Sequence, residues 1–524
     1  MDQKRWKGSI TVFLSITCIL FLSLICTAVE SARIQGAKTQ SANITGMGNF
    51  SLLSEYENAL LENYNILALD VTYGSGSFKL QKAEERLKGY LSANANPRKN
   101  FLAELCIDPW RLTLKKCNIK KYQLLTDQKG EAFYQQAVDF MKVNAGTMIV
   151  SQLLKYAEDA EDIKKYQEKY EEAQKKNETQ IAELEEQKQQ KLQELQEKAL
   201  SVETGVSGEN QEMNSSDTNE GNTEIIVKEP EGNPLKEIRK LRKKSILNIV
   251  TGDKKVSQKK ISLKNLPSRT VSQKGNYKWK GEHSGLTADV LFREYLLMHF
   301  PNYLSKKSGK GLDYQLEYLI GGKSSDTANL KDVVTKLLLL REGMNYLYCL
   351  QDTGMNMETA RVAAAFTGFL GIPAVTAATQ HALLLAWAYG ESLIDIRILL
   401  DGGKIPVMKD ASDWKLSIDN LGKITEILKQ GNAGNDKGMS YYGYLRILLN
   451  LGNVRRQRML ALDMIQTELQ AQKDTEYFKA ENCITAVRTC TQWECSPMFA
   501  VLPAAIMGTG NTDTVFMQEG SISY

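Results

Sequence analysis

The chain has 524 residues, which is enough for two or three domains and a sizeable core. Its formal net charge of +4 is small for this length, so no global positive field indicates nucleic-acid binding. Only three histidines occur, and they lie far apart in the sequence, which argues against a zinc site or a histidine-based catalytic site. We therefore expect a folded protein that binds no nucleic acid.

An unbroken apolar stretch follows the basic start of the chain. Three cations within residues 1–9 precede residues 10–29, whose only polar side chains are serine and threonine hydroxyls. About 20 such residues rise ~30 Å as a helix, which matches the hydrocarbon core of a bilayer. The cations before the stretch and Glu30 after it predict a single-pass protein of the cell membrane with a cytoplasmic N-terminus and an extracytoplasmic bulk. The predicted anchor residues are Ile10, Phe13, Leu20, Phe21, Leu24 and Val29.

Two other interpretations of this stretch stay open. A cleaved secretory signal has a similar charged start, and Cys26-Thr27-Ala28 offers a site for a signal peptidase. The second interpretation is cleavage after Gly8, as in pilin precursors. The peptidases that process such precursors usually require a glutamate at the position where this chain has Phe13. A retained anchor is favoured because the apolar run is longer than that of a typical signal peptide.

Residues 30–70 continue with helical periodicity. Apolar side chains from Ile44 to Leu67 recur every three or four residues, which predicts an amphipathic stalk. Gly46 and Gly48 are expected to kink or interrupt this helix. The stalk packs either on its own domain or also against neighbouring copies, as pilin helices do, and this stretch alone favours its own domain.

Three segments of different composition follow the stalk. Residues 71–150 have mixed patterns and predict an α+β segment, with a strand or hairpin at 110–125. Residues 151–200 are rich in Glu, Gln and Lys, which predicts a long solvated helix or one arm of a loose coiled coil with a seam that includes Ile163. Residues 201–235 have few apolar side chains and predict a disordered linker.

Residues 236–284 form a strongly basic segment. Such a run is often typical of nucleic-acid binding, but outside a cell the candidate partners are lipid head groups and anionic cell-wall polymers. A solvated surface that balances the acidic helix before it is the alternative, and we favour it. The candidate residues for contact with anionic polymers are Arg239, Lys240, Arg242, Lys243, Lys244, Lys254, Lys255, Lys259 and Lys260.

Residues 285–476 have the clearest helical periodicity and predict a mainly helical core. Ser325 or Asp326 is expected to cap one of its helices. Residues 362–387 are apolar enough to suggest a second membrane span. Glycines, a proline and a histidine interrupt this stretch, so a buried helical hairpin is the favoured interpretation.

Residues 477–524 predict a small β-rich terminal piece that contains cysteines. Short strands are also predicted at 405–408 and 414–418. Cys349 lies in an apolar helix and is expected to be a buried free thiol. The remaining extracytoplasmic cysteines are candidates for disulfides, and their pairing stays open. The favoured pairings are Cys106 with Cys117, and one bridge within the trio Cys483, Cys490 and Cys495.

The motifs that suggest chemistry are weak. Residues 321–324 (GGKS) lie between an apparent strand at 314–320 and a helix, but Glu317 replaces the first glycine of a phosphate-binding loop and would repel phosphate. Glu391 and Asp395 lie one helical turn apart, yet such pairs usually occupy exposed faces, and no base or nucleophile accompanies them. We therefore predict no catalytic, cofactor-binding or metal-binding residues and no enzymatic activity.

Several short motifs together resemble a known family. They are residues 7–13 (KGSITVF), 30–33 (ESAR), 64–70 (YNILALD), 313–318 (DYQLEY), 321–326 (GGKSSD), 402–407 (GGKIPV) and 438–442 (GMSYY). These motifs resemble the uncharacterised DUF5702 family of Gram-positive bacteria, which is itself similar at its N-terminus to TadE/TadG-like pilus-assembly proteins. The resemblance covers roughly 1–150 and 285–475, and the segment between them resembles an insertion. Family members often lie near tight-adherence pilus genes, which implies a minor pilin-like or accessory role.

The sequence as a whole predicts an α+β, predominantly helical protein with a single transmembrane helix, a mixed extracytoplasmic body and a long charged insertion. The expected function is structural or accessory, in a Tad-like pilus or secretion apparatus with protein partners. The alternative is a module that binds anionic cell-envelope polymers or lipids through residues 236–280.

Overall fold

The computed structural model describes residues 3–95, 108–144, 147–204, 233–305, 311–430, 437–499 and 513–524. Helices dominate these ranges and strands are few, which agrees with the predicted fold class. The helices are α1 (Gln3–Leu53), α2 (Asn58–Tyr64), α3 (Leu80–Ala95), α4 (Asp127–Asn144), α5 (Thr147–Thr204), α6 (Pro234–Arg242), α7 (Ile246–Thr251), α8 (Leu286–His299), α9 (Gln315–Gly321), α10 (Asp326–Gln351), α11 (Thr353–Thr367), α12 (Pro373–Leu400), α13 (Ile424–Gln430), α14 (Tyr441–Asn450) and α15 (Val454–Gln470). The strands are β1 (Leu69–Asp70), β2 (Leu112–Leu124), β3 (Lys404–Ile405), β4 (Met439–Ser440), β5 (Cys483–Cys495) and β6 (Thr514–Ser523).

The helix α1 is a single rod that runs through the predicted anchor and most of the predicted stalk. It has 51 residues, so it is about 75 Å long. The predicted interruption at Gly46 and Gly48 is wrong, because the helix continues through both positions. Gly48 faces α3, where a Cβ atom would come within 2.6 Å of Leu91. Glycine at this position therefore allows close packing of α3 on an unbroken α1.

One antiparallel sheet packs against the second half of α1. Its central strand β5 pairs along its length with β2 and with β6, and β1 adds a short pairing at the start of β5. Leu112 of β2 and Thr514 of β6 both pair with Cys495. The C-terminal strands therefore complete a sheet with a strand from the first quarter of the chain, so the β-rich terminal piece expected at 477–524 and the α+β segment expected at 71–150 share one sheet.

A small hydrophobic core fills the space between α1, α3 and this sheet. Ile44 and Leu52 of α1 meet Leu87 of α3 and the sheet residues Ile119 and Trp493. Alternate residues of β5 point toward the helix, and these are buried along the whole strand. We call the second half of α1, α3 and strands β1, β2, β5 and β6 the helix–sheet module.

The remaining helices surround α10 and α12, and we call them the helical body. The first part of α5 packs across α10 and α12 and buries Ile163 and Tyr170. The seam predicted for a coiled coil therefore packs within the chain itself. Farther along α5 the side chains are mostly exposed, and pairs such as Lys191 and Glu194 lie one turn apart.

The basic segment folds onto the body and then continues to the module. Its helices α6 and α7 bury Ile238 and Val250 in the core of the body. Farther along, Gly275 donates its N–H to Asp127, and Ser268 donates its N–H to Asp463 of α15. Asn276 of the same segment accepts the N–H of Tyr122 of β2. The segment therefore bridges the helical body and the helix–sheet module.

Three short elements differ from their predictions. Residues 314–320 form the helix α9 instead of a strand, and residues 414–418 contain no strand. Of the predicted strand 405–408, only Ile405 belongs to β3, which pairs with β4. A short apolar run fits one buried helical turn as well as a strand, so the sequence pattern alone does not separate the two.

The apolar stretch 362–387 forms parts of α11 and α12, a helical hairpin whose second helix enters the core of the body. Among the described residues, α1 is the helix that is long and apolar enough to cross a membrane. Ser325 caps α10, since its Oγ accepts the N–H of Ala328. Residues 205–232, most of the predicted linker, lie outside the described residues.

Candidate functional site

The first half of α1 exposes its apolar side chains. All six predicted anchor residues are exposed, with Phe13 at 71% and Leu24 at 66%. Three hydroxyls within this half, those of Ser15, Thr17 and Thr27, donate to carbonyls one turn earlier, as Thr17 does to Phe13 at 2.8 Å. This half therefore has the length and the satisfied polar groups that a membrane-spanning helix requires.

A buried ion pair marks the point where the apolar stretch ends. Arg33 Nη2 donates to Glu30 Oε1 at 2.6 Å and to the carbonyl of Ser496 at 2.6 Å. Arg33 Nη1 donates to the carbonyls of Pro109 and Trp110, at 3.1 and 3.0 Å. One guanidinium thus holds the loops before β2 and after β5 against α1.

Glu30 completes the same contact from its other oxygen. Its Oε2 accepts the backbone N–H groups of Phe499 at 2.8 Å and Met498 at 3.3 Å. Burial alone would raise the pKa of Glu30, but the hydrogen bonds from Arg33 and from these backbone amides lower it below its usual range. We call Glu30, Arg33 and these backbone partners the clamp. The clamp fixes the loops before β2 and after β5 to α1 directly after the apolar half.

A polar stripe on α1 continues this attachment along the sheet. Thr45 Oγ1 lies 3.0 Å from Thr491 Oγ1, and Thr489 Oγ1 donates to Asn49 Oδ1 at 2.9 Å. These groups are buried and hydrogen-bonded to one another, so they give α1 a defined position on β5.

The opposite side of the same helical stretch is exposed and carries no charge. Met47 is 55% exposed and Phe50 is 67% exposed. The exposed residues, which we call the outer face, are Ser31, Ala32, Gln35, Thr39, Ala42, Asn43, Gly46, Met47 and Phe50. The outer face therefore extends the uncharged surface of the apolar half beyond the end of the predicted bilayer core.

The nine predicted basic contact residues divide into two groups. Four make polar contacts: Lys240 with Glu237, Lys254 with Asp401, Lys259 with Asp313, and Arg242 with the hydroxyl of Tyr170. The other five have no carboxylate partner among the described residues and are Arg239, Lys243, Lys244, Lys255 and Lys260. Arg239 also lines a cavity of about 270 Å³ between α5, α6 and α12.

The cysteines that the structure describes are free thiols. Cys117 pairs in register with Thr491, and Asn118 pairs with Cys490, so Cys117 and Cys490 point to opposite faces of the sheet. Cys483 and Cys495 lie at opposite ends of β5. The candidate bridge within the C-terminal trio is therefore absent, because one extended strand separates its members. Cys106 lies outside the described residues, and Cys349 is buried and free, as predicted.

The glycine motif at 321–324 forms the end of α9 and the turn into α10. Arg456 donates to the carbonyls of Ile320 and Gly321. Glu317 lies in the first turn of α9 and is buried. Burial raises the pKa of Glu317 to about 7, although the N–H of Tyr303 and the hydroxyl of Tyr441 donate to it. Within the described ranges, no group of three or more His, Cys, Asp or Glu side chains is placed to hold a metal ion.

Two features of this site were not recognised in the sequence. The clamp has a local signal, since Glu30 and Arg33 follow the apolar stretch and lie one helical turn apart, but its partners come from distant loops. The carboxylates Glu391 and Asp395 were expected on an exposed face, and both are completely buried. Their cation partners, Arg341 and Lys409, are buried with them.

The chain was compared with known protein families, curated proteins and solved structures. The sequence model of DUF5702, a family of unknown function, matches residues 226–495, slightly more than half of the chain. This region begins after α1 and includes the basic segment, the core of the helical body and strand β5. No curated protein and no solved structure matches the chain.

Proposed function

The chain belongs to the DUF5702 family, and we propose that it is a membrane-anchored structural or accessory subunit of a surface assembly, a Tad-like pilus or secretion apparatus. Residues 10–29 hold it in the cell membrane, with the N-terminus in the cytoplasm and the module and body outside. The observation that carries this proposal is the continuity of α1, which joins an exposed apolar half to the module without a break.

The mechanism is packing and not catalysis. The clamp and the polar stripe hold α1 against the sheet, so force or displacement on the anchor is transmitted directly to the module. A flexible linker between anchor and body would not transmit it. The motifs at 7–13 and 30–33 that resemble TadE/TadG-like proteins lie on this same rod and support the assignment.

The outer face supplies the surface for assembly. Its small residues allow another helix to approach closely, and its lack of charge removes the cost of desolvating ions at such a contact. Because this face continues the surface of the apolar half, a neighbouring helix that packs beside the anchor in the bilayer also meets Met47 and Phe50. The partner is therefore the α1 helix of an adjacent subunit.

Site-specific photo-crosslinking in native membranes tests this proposal. A photoreactive phenylalanine at Phe50 preserves the aromatic ring and is expected to capture a neighbouring subunit at the position of its own N-terminal helix, as mapped by mass spectrometry. The variant Ala42→Lys places a charge on the outer face and is expected to abolish the adduct without lowering the stability of the isolated protein.

A matched control uses Tyr477, which is 63% exposed on the surface of the described chain but is not part of α1. The same photoreactive group at this position is expected to give no adduct with an N-terminal helix. Equal adducts at both positions, or an adduct at Phe50 that persists in Ala42→Lys, would contradict packing through the outer face.

A second candidate function is binding to anionic envelope polymers. The observation that favours it is a set of five basic side chains that have no carboxylate partner within the described ranges and include Lys243 and Lys244 just after α6. Phosphate groups of a wall polymer or of lipids would attract such a set, and salt would weaken the attraction.

Sedimentation of the full-length protein with purified cell wall separates the two candidates. Under the second candidate, the double variant Lys243→Glu and Lys244→Glu loses salt-sensitive sedimentation and keeps the crosslink at Phe50. Wall binding that is unchanged in this variant, or absent in the wild type, would rule out the second candidate and leave the first intact.

A further inference from the structure

A dry cluster of two acids and two bases lies in the core of the helical body. Arg341 of α10, Glu391 and Asp395 of α12, and Lys409 of the loop after β3 have side chains that are at most 1% exposed. Trp414 covers Lys409, with the ammonium 5.6 Å from the ring centroid. Neither the proposed assembly nor the anchor uses this cluster.

The two oxygens of Asp395 have different surroundings. Its Oδ2 accepts hydrogen bonds from Arg341 Nε at 2.9 Å and from Asn345 Nδ2 at 3.0 Å. Its Oδ1 lies 2.5 Å from Lys409 Nζ, yet it accepts no hydrogen bond from the described residues. The amine is therefore placed close to the carboxyl group without the geometry of a hydrogen bond.

Glu391 lies against the same amine. Its Oε1 accepts a hydrogen bond from Lys409 Nζ, and the backbone N–H groups of Lys415 and Leu416 fix both of its oxygens. Burial raises the pKa of Glu391, and this effect exceeds the lowering by Lys409. Burial also opposes ionisation of Asp395, but Arg341 and Lys409 outweigh it and lower the pKa of Asp395.

The geometry points to an amide bond between Lys409 Nζ and Asp395 Cγ, formed by the chain itself with the loss of one water. A desolvated lysine amine is a competent nucleophile. Arg341 and Asn345 donate to Oδ2, which is the oxygen on which negative charge develops when Nζ attacks Cγ. Glu391 is the only other carboxyl group that the described structure places in contact with Nζ, so it is the acid–base residue of this step.

The step balances without a co-reactant. Glu391 takes a proton from the Lys409 ammonium and delivers it to Oδ1 of Asp395 as the Nζ–Cγ bond forms. A second proton follows the same route, the Cγ–Oδ1 bond breaks, and Oδ1 leaves as water. The third proton stays on the amide nitrogen, and Glu391 returns to its starting state.

The surroundings favour the condensed product. Each buried ion carries a desolvation cost, and the reaction converts one ammonium and one carboxylate into a neutral amide. Arg341 and Glu391 remain as one cation and one anion, so the cluster stays neutral. The product would join α12 covalently to the loop after β3. Such a bond would strengthen a subunit that bears mechanical load, but the proposal does not depend on that function.

Peptide mapping of the full-length protein, purified in detergent, tests the proposal. Trypsin does not cleave after an acylated lysine, so the bond joins peptide 362–397 to peptide 405–415 in one species. That species is expected at about 18 Da below the sum of the two peptides, the mass of one water. Recovery of the free peptides 362–397 and 405–409 in full yield from the wild-type protein would overturn the proposal.

Two variants and one internal control assign the roles. Glu391→Gln removes the acid–base group and is expected to release the separate peptides. Asp395→Asn is expected to keep the link, because the amide loses ammonia in place of water, whereas a simple ion pair has no covalent product in either form.

The internal control is the pair of Lys254 and Asp401. These side chains lie 2.5 Å apart but are partly exposed, and normal cleavage after Lys254 is expected. Links at both lysines would show that proximity alone produces the product and would contradict the role of Glu391.

Discussion

Replacement of Arg33 by alanine tests how firmly the clamp holds the sheet to α1. The guanidinium is almost completely buried, and its removal leaves Oε1 of Glu30 and the carbonyls of Trp110 and Ser496 without their donor and leaves the Glu30 charge without its cation. Breaking a buried ion pair in this way costs roughly 3–5 kcal/mol. We expect Arg33→Ala to lower the free energy of unfolding of the full-length protein in detergent by that amount, measured by urea unfolding with tryptophan fluorescence.

The companion variants make this expectation specific. In Arg33→Ala with Glu30→Ala no unpaired carboxylate remains, so part of the lost stability returns. Arg33→Lys keeps the positive charge but loses the forked guanidinium that donates to several carbonyls. Its free energy of unfolding is therefore expected to lie between those of the wild type and Arg33→Ala. The exposed pair of Lys120 and Glu519 serves as the control, and Lys120→Ala is expected to leave the stability unchanged. A loss in Arg33→Ala no greater than that in Lys120→Ala would refute the reasoning.

Further predictions concern α1 and the buried acids. Gly48→Ala crowds Leu91 and is expected to cost about 1–3 kcal/mol, while Gly46→Ala meets open space and is expected to stabilise the isolated protein by roughly 0.5–1 kcal/mol. Thermal unfolding of the two variants shows whether Gly48→Ala lowers the stability and Gly46→Ala raises it. The raised pKa of Glu317, about 7, means that its stabilising contribution is complete below the unfolded-state pKa and is lost as the pH rises toward 7. Between pH 5 and pH 8 this decline amounts to about 2.5 kcal/mol, and we expect Glu317→Gln to remove it, as measured by urea unfolding at the two pH values. An unchanged pH dependence in the variant would contradict the burial of an acid at this position.

The parts of the fold that were predictable from sequence depend on local patterns. The first half of α1 is visible because about 20 consecutive apolar residues mark a helix that is long and apolar enough to cross a membrane. The helical core and the cap at Ser325 follow from apolar periodicity and from a side chain placed before it. Strand β2 was visible for the same reason.

The sheet was not predictable, because its pairings join distant parts of the chain. Nothing near Leu112 indicates that its partner is Cys495. The seam through Ile163 predicted a solvated helix or a loose coiled coil, but Ile163 is buried in the core of the body, because periodicity does not show which helix is the partner. Both errors concern the identity of a distant partner and not the local structure.

The buried charges were missed for a related reason. Glu391 and Asp395, one turn apart, have the pattern of a solvated helix face, and only the fold brings Arg341 and Lys409 to them. The clamp is similar, since Glu30 and Arg33 are visible but Phe499 is not a predictable partner. The chemistry of this chain therefore depends on contacts that one-dimensional patterns do not contain.

Protease treatment of intact cells that express the protein with a C-terminal tag tests the central claim, that α1 fixes an outward-facing body to the membrane. We expect external protease to remove the tag and a fragment containing residues 10–29 to stay with the membrane. A tag that survives on intact cells, or a body released into the medium without those residues, would contradict it.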